Sequence, residues 1–192
     1  MFFRSERLFL RPGWPEDWSD LFGRIADPQI LRNLASAPWP YRPEHARDFA
    51  GRPQDRRFPH FFITLPHTSA GTGSELIGCV GLHPCAGPGP ELGYWIASDR
   101  WGQGYATEAA RAVLAVARTL GHRRVEASVF ADNPASARVV AKLGFRATGA
   151  IAPRYSLARG EAAPAQLHAL ELPGVGGDSD TDGEKLPMPR VA

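Results

Sequence analysis

Residues 100–114 read RWGQGYATEAARAVL, with Gly102 and Gly104 on either side of Gln103 and a helix-forming run directly after them. Glycine costs a helix about 1 kcal/mol against alanine, so this pair serves the turn and not the helix. A strand pattern ends near Ala97 and a helical one begins near Gly104. The first N–H groups of such a helix have no carbonyl partner within it, and the helix dipole favours negative charge there. With no Cβ in the way, phosphate oxygens can reach those amides. The chemistry expected at residues 102–107 is therefore anion binding. It follows neither common nucleotide pattern: there is no GxxxxGK[ST], and Thr107 stands where a GxGxxG would have its third glycine. A plain tight turn is the competing reading. A second run, NPASARVVAKLGF (133–145), opens with Asn133 ahead of Pro134. That is an N-cap followed by a proline in the first turn, and it puts the Ser136 hydroxyl one helical turn before Val140.

The elements that must position these residues follow from periodicity. Leu8 and Leu10 share a face in RLFLRP, a first strand stopped by Pro12. Residues 15–26 carry Trp18, Leu21, Phe22 and Ile25 at helical spacing, and PQILRNLA (28–35) starts a second helix after Asp27. RPEHARDFAGR reads as a third helix ended by Gly51. Strands follow in HFFITL, ELIGCVGLH and ELGYWIAS, with a long hairpin loop, PHTSAGTGS, between the first two. After the glycine turn, a helix runs to about Leu120 and ends at Gly121. RRVEASVF, NPASARVVAKL, GFRATGA and AQLHALEL then give strand, helix, strand, strand. Early helices, an antiparallel meander and a late crossover unit make a mixed α/β domain over residues 1–172. The closing PGVGGDSDTDGEKLPMPRVA has almost nothing to bury and is expected to be a disordered tail, 173–192.

Composition removes several classes. A 192-residue chain with 43% apolar residues supports one domain with its own core. A net charge of +2 gives no electrostatic case for nucleic-acid binding. Cys79 and Cys85 fit reduced thiols in a cytoplasmic protein. The start has no secretory signal, and no window approaches the ~20 apolar residues of a membrane span. His60, His67, His83 and Cys85 match no metal-ligand spacing, so no metal is expected, and histidines at strand ends read as solvated or core-satisfied. Arg42, Arg56 and Arg57 read as a basic rim or as plain solvated charge.

Two motifs together, ELGYWIASDRWGQGYATEA and ADNPASARVVAKLGFRATG, resemble the GCN5-related N-acetyltransferase (GNAT) superfamily, in its ribosomal-protein N-terminal acetyltransferase branch (RimJ/RimL type). The resemblance runs from Arg7 to about Leu172. It implies a splayed mixed sheet of about seven strands flanked by helices, with acetyl-CoA held where two strands part. It further implies direct acetyl transfer to a primary amine, at a protein N-terminus or on a small molecule. The pyrophosphate motif, Gln/Arg-x-x-Gly-x-Gly/Ala, falls on Trp101, Gly104 and Ala106. Trp101 departs from the superfamily pattern, so the resemblance assigns the contact to backbone amides of Gly102, Gln103, Gly104, Tyr105, Ala106 and Thr107. Ile96 is implied to pair its backbone with the pantetheine arm, and Asn133 to meet the cofactor nearby. Tyr94 and Trp95 alternate across this strand, leaving open which one faces the cleft. A tyrosine often follows the Asn by seven residues as a proton donor; here that position is Val140, which cannot donate. Ser136 becomes the candidate to hydrogen-bond the leaving sulfur, and Glu91 the candidate base, with Glu108 read as structural. A non-catalytic acyl-CoA-binding or interaction module on the same fold is the alternative, and a homodimer stays open.

Overall fold

The computed structural model describes residues 1–66 and 74–173. The expected hairpin loop at residues 67–73 and the expected tail from residue 174 lie outside the described residues. The strands are β1 (Phe3–Arg4), β2 (Phe9–Arg11), β3 (His60–Pro66), β4 (Ser74–His83), β5 (Glu91–Ile96), β6 (Arg124–Phe130), β7 (Arg146–Ser156) and β8 (Glu161–Glu171). The helices are α1 (Trp18–Ile25), α2 (Pro28–Leu31), α3 (Pro43–Ala50), α4 (Tyr105–Thr119) and α5 (Pro134–Lys142). One sheet contains all eight strands, in the order β1-β2-β3-β4-β5-β6-β8-β7. All neighbours are antiparallel except β5 and β6.

Each face of the sheet carries its own helices. On one side α4 turns Ala109, Ala110, Val113, Leu114 and Ala117 inward, a helical stripe that packs on Leu10, Phe61, Ile63, Val80, Leu92 and Ile96. Val140 of α5 joins this core at 1% exposure. On the other side Leu21 and Ile25 of α1, Ile30 and Leu31 of α2, and Ala46 and Ala50 of α3 cover Phe62, Leu76, Cys79 and Trp95. Leu92 and Ile96 against Trp95 is the alternation expected of a strand buried on both faces.

The helices expected from periodicity are present, although α2 stops at Leu31, four residues early. The larger difference is at the end of the sheet. Residues 151–164 read as a break between two short strands, yet they are the outer half of one long hairpin. Its strands pair from Ile151 opposite Gln166 to Ser156 opposite Glu161. Pro153 and Pro164 face each other at the sheet margin, where a missing N–H costs little. The two-residue β1 raises the strand count from the expected seven to eight.

Candidate active site

The parallel strands β5 and β6 meet at one register only, Glu91 opposite Glu126. There the Glu126 N–H donates to the Pro90 carbonyl at 2.8 Å. The next rung of a parallel ladder would join Gly93 to Ser128. It does not form; the Ser128 N–H turns instead to the Glu91 carboxylate, 3.3 Å away at Oε1. β6 continues along β8 and β5 along β4, so the two part into a gap. The Ala97 N–H donates to Ile77 on β4. By the alternation of an antiparallel ladder, Leu92, Tyr94 and Ile96 therefore turn their backbone groups toward the gap.

The glycine turn closes one end of this gap. After β5 the chain makes a short 3-10 turn at Ser98–Arg100 and reaches Gly102 (φ 76°) and Gly104 (φ 84°). Gly104 is the N-cap of α4 in the left-handed region, where an L side chain costs about 1–2 kcal/mol. The first bond into the helix runs from the Glu108 N–H to the Gly104 carbonyl at 3.1 Å. Among the described residues, the N–H groups of 102–107 donate to no backbone carbonyl. Trp101 has a different job from a phosphate-binding side chain: its indole N–H donates to the Ile96 carbonyl at 2.6 Å, tying the turn to the end of β5.

Two ion-pair groups hold the turn in place. Glu108 accepts from Ser5 Oγ at 2.6 Å and from the Arg7 N–H and Nε, each at 2.8 Å. Desolvation pushes the Glu108 pKa up, but these hydrogen bonds outweigh it and hold the carboxyl below its ordinary value. Arg7 also donates to the Gln103 carbonyl at 3.0 Å and lies over the Tyr105 ring. Beneath the turn, Glu75 receives Arg24 and Arg100, and Arg24 also pairs with Asp99. Glu108 is thus a structural anchor, as the sequence suggested, whereas Arg7 gave no signal because its partner lies about a hundred residues away.

The far side of the gap is the start of α5. Asn133 Oδ1 accepts the Ser136 N–H at 3.1 Å, the N-cap expected from the sequence. Tyr94 settles the ambiguity on β5: Trp95 is buried against α1–α3, and Tyr94 faces the α4/α5 side. Its hydroxyl lies 2.7 Å from Ser136 Oγ, so strand and helix are joined across the gap. Burial lifts the Tyr94 pKa to about 12, with Ser136 pulling the other way, and the phenol stays protonated. Parity with Leu92 and Ile96 was the signal for this orientation.

Glu91 occupies the opposite face and the closed end of the gap. Arg154 of β7 grips it with both terminal nitrogens, one of them at 3.0 Å from Oε2. An ionised carboxylate has about four lone-pair sites. Arg154 and the Ser128 N–H use three of them, and one remains on Oε2. Opposite Glu91 on β4 stands His83.

The profile of the family described as Acetyltransferase (GNAT) domain matches residues 7–146. A relative from Bacillus subtilis (strain 168), the "Uncharacterized N-acetyltransferase YoaA", is 30% identical over 155 residues, covering 77% of this chain and 84% of that protein. A solved GNAT-family acetyltransferase from Bacillus anthracis superposes with a TM-score of 0.71 at 23% identity, over 89% of this chain and 98% of that one. Mycobacterium smegmatis RimJ, solved with CoA-disulfide, gives 0.66 at 26% identity, over 85% of this chain and 81% of its own. The chain belongs to the GNAT acetyltransferase family and is an acyltransferase. Among the described residues no helix is long and apolar enough to cross a membrane.

Proposed function

We propose that this protein takes acetyl from acetyl-CoA and passes it directly to a primary amine, either a protein N-terminus or a small-molecule amine. The observation that carries this reading is the parting of β5 and β6 at Ser128, directly beside the glycine turn that opens α4. Free amides at residues 102–107 suit the pyrophosphate of acetyl-CoA. The open edge of β5 suits its pantetheine amides, which pair as an added strand would. Tyr94 and Ile96 supply that edge, Trp101 fixes its end, and Asn133 caps the helix that closes the other side.

The acceptor approaches from the α1–α3 face. Its nitrogen forms the new C–N bond as the C–S bond breaks and the electron pair leaves with sulfur. An α-amine has a pKa near 8 and a lysine near 10.4, so the acceptor must shed a proton first. Glu91 assists that loss. The Ser136 hydroxyl, braced by the protonated Tyr94, donates a hydrogen bond to the departing thiolate. Val140 is sealed in the core and takes no part. Which amine is accepted depends on residues 37–58 and 66–74.

The test is thiol release from acetyl-CoA with a panel of peptides and small amines, read together with the mass of the product. An acetylated amine formed with stoichiometric free CoA is expected. Acetyl-CoA binding without acetylation of any amine would contradict the reading.

A further inference from the structure

We propose that His83 is the base that takes the proton from the acceptor amine, with Glu91 and Arg154 acting through it. This rests on the reading of the protein as an amine acetyltransferase. The β4–β5 register puts His83 opposite Glu91, Gly81 opposite Gly93 and Cys79 opposite Trp95. These pairs share the face turned toward α1–α3. Between Trp95 and Glu91 that face is paved with glycine, and the His83 ring fills the space. A Cβ on Gly93 would lie 2.9 Å from both Cδ2 and Nε2 of the imidazole. Gly93 sits between Leu92 and Tyr94, two of the residues whose backbone groups face the gap. The imidazole therefore lies over β5, on the face that the proposed function gives to the acceptor.

Its neighbours suit the task better than those of Glu91. Three of the four lone-pair sites of the Glu91 carboxylate are in use. His83 as a residue is exposed, but its ring packs over Gly93 and, among the described residues, makes no hydrogen bond. The charged and titratable groups facing it are Glu91 from β5, Arg154 from β7, Arg52 beyond α3 and His60 from β3. Burial is the largest influence on the imidazole and lowers its pKa. Arg52 and Arg154 lower it further, and Glu91 raises it. The outcome is a neutral imidazole at neutral pH, the form that accepts a proton. In the step, a ring nitrogen takes one proton from the acceptor ammonium, the freed lone pair attacks the thioester carbonyl, and the C–S pair leaves with sulfur while the second proton on nitrogen passes to the departing thiolate. The imidazolium then releases its proton to water, and the nearby Glu91 charge steadies it meanwhile. By sequence His83 reads as a solvated or core-satisfied strand-end residue; its cross-strand partner and the glycine beneath it distinguish it.

The experiment compares wild type, His83→Gln and His83→Ala by kcat/KM for one amine across pH, at saturating acetyl-CoA. Acetyl-CoA Kd is measured alongside. His83→Gln should lose on the order of 100-fold at neutral pH with an unchanged Kd. The deficit should shrink as pH passes the pKa of the amine, because a neutral acceptor needs no base. Added imidazole should restore part of the rate of His83→Ala, which a purely structural role would not allow. If wild type acetylates the amine and both variants match its rate and pH profile, the base assignment is overturned and the acetyltransferase reading stands. If wild type acetylates no amine, both fall.

Discussion

Glu91 accepts the Ser128 N–H where the pairing of β5 with β6 ends, and the proposed function also has it assist the loss of the amine's proton. Replacing it with Gln keeps an acceptor oxygen for Ser128 but removes the charge that pairs with Arg154. The expected outcome is a fall in kcat of about tenfold or more, with acetyl-CoA affinity little changed, since the carboxylate lies on the acceptor face. Steady-state rates with calorimetric Kd check this, and an unchanged kcat would remove Glu91 from the chemistry. The motifs made Glu91, Asn133 and Ser136 candidates because each sits at a fixed place in a local pattern, and of these readings the structure bears out the Asn133 N-cap. Tyr94, Arg154 and His83 were not legible in this way, because their roles depend on cross-strand register and on a hairpin returning over the sheet, which local spacing does not encode.

The proposed function makes cofactor binding depend on the turn ahead of α4. Gly104 holds φ 84° with Arg7 Nη2 3.4 Å from where a Cβ would project. A Gly104→Val substitution forces a β-branched residue into the left-handed region and puts methyl groups where phosphate oxygens would sit. Acetyl-CoA Kd should rise at least tenfold, or about 1.4 kcal/mol. Normal acetyl-CoA binding by a folded Gly104→Val protein, judged by its melting temperature, would place the cradle elsewhere. This turn was readable because its glycines stand between a strand pattern and a helix-forming run. The β7–β8 hairpin was not: prolines dominate its local signal, and what permits them is a position at the sheet margin. Its tip is held by tertiary contacts, with Ser156 Oγ donating to the Leu34 carbonyl and Arg159 to the Arg32 carbonyl and to Asp132.

At the scale of the molecule, two cores on opposite faces of one sheet hold a gap open between strands that would otherwise pair. Titratable groups inside this frame tie its stability to pH. Burial, with smaller contributions from Arg52 and His83, lowers the His60 pKa from 6.5 to about 4. An unfolded chain takes up that proton near 6.5, so the stability contributed by neutral His60 is full above that pH and is lost as pH falls toward 4. The melting temperature should drop across this window, and His60→Gln should flatten the drop; an identical slope would contradict the assignment. Fold class and family were legible from the two motifs and the strand–helix alternation. The acceptor was not, since no motif in the sequence encodes it. Direct transfer from acetyl-CoA to the amine requires both substrates to be bound together. Initial rates with both substrates varied should therefore give intersecting double-reciprocal lines, and parallel lines from an acetylated enzyme would rule direct transfer out.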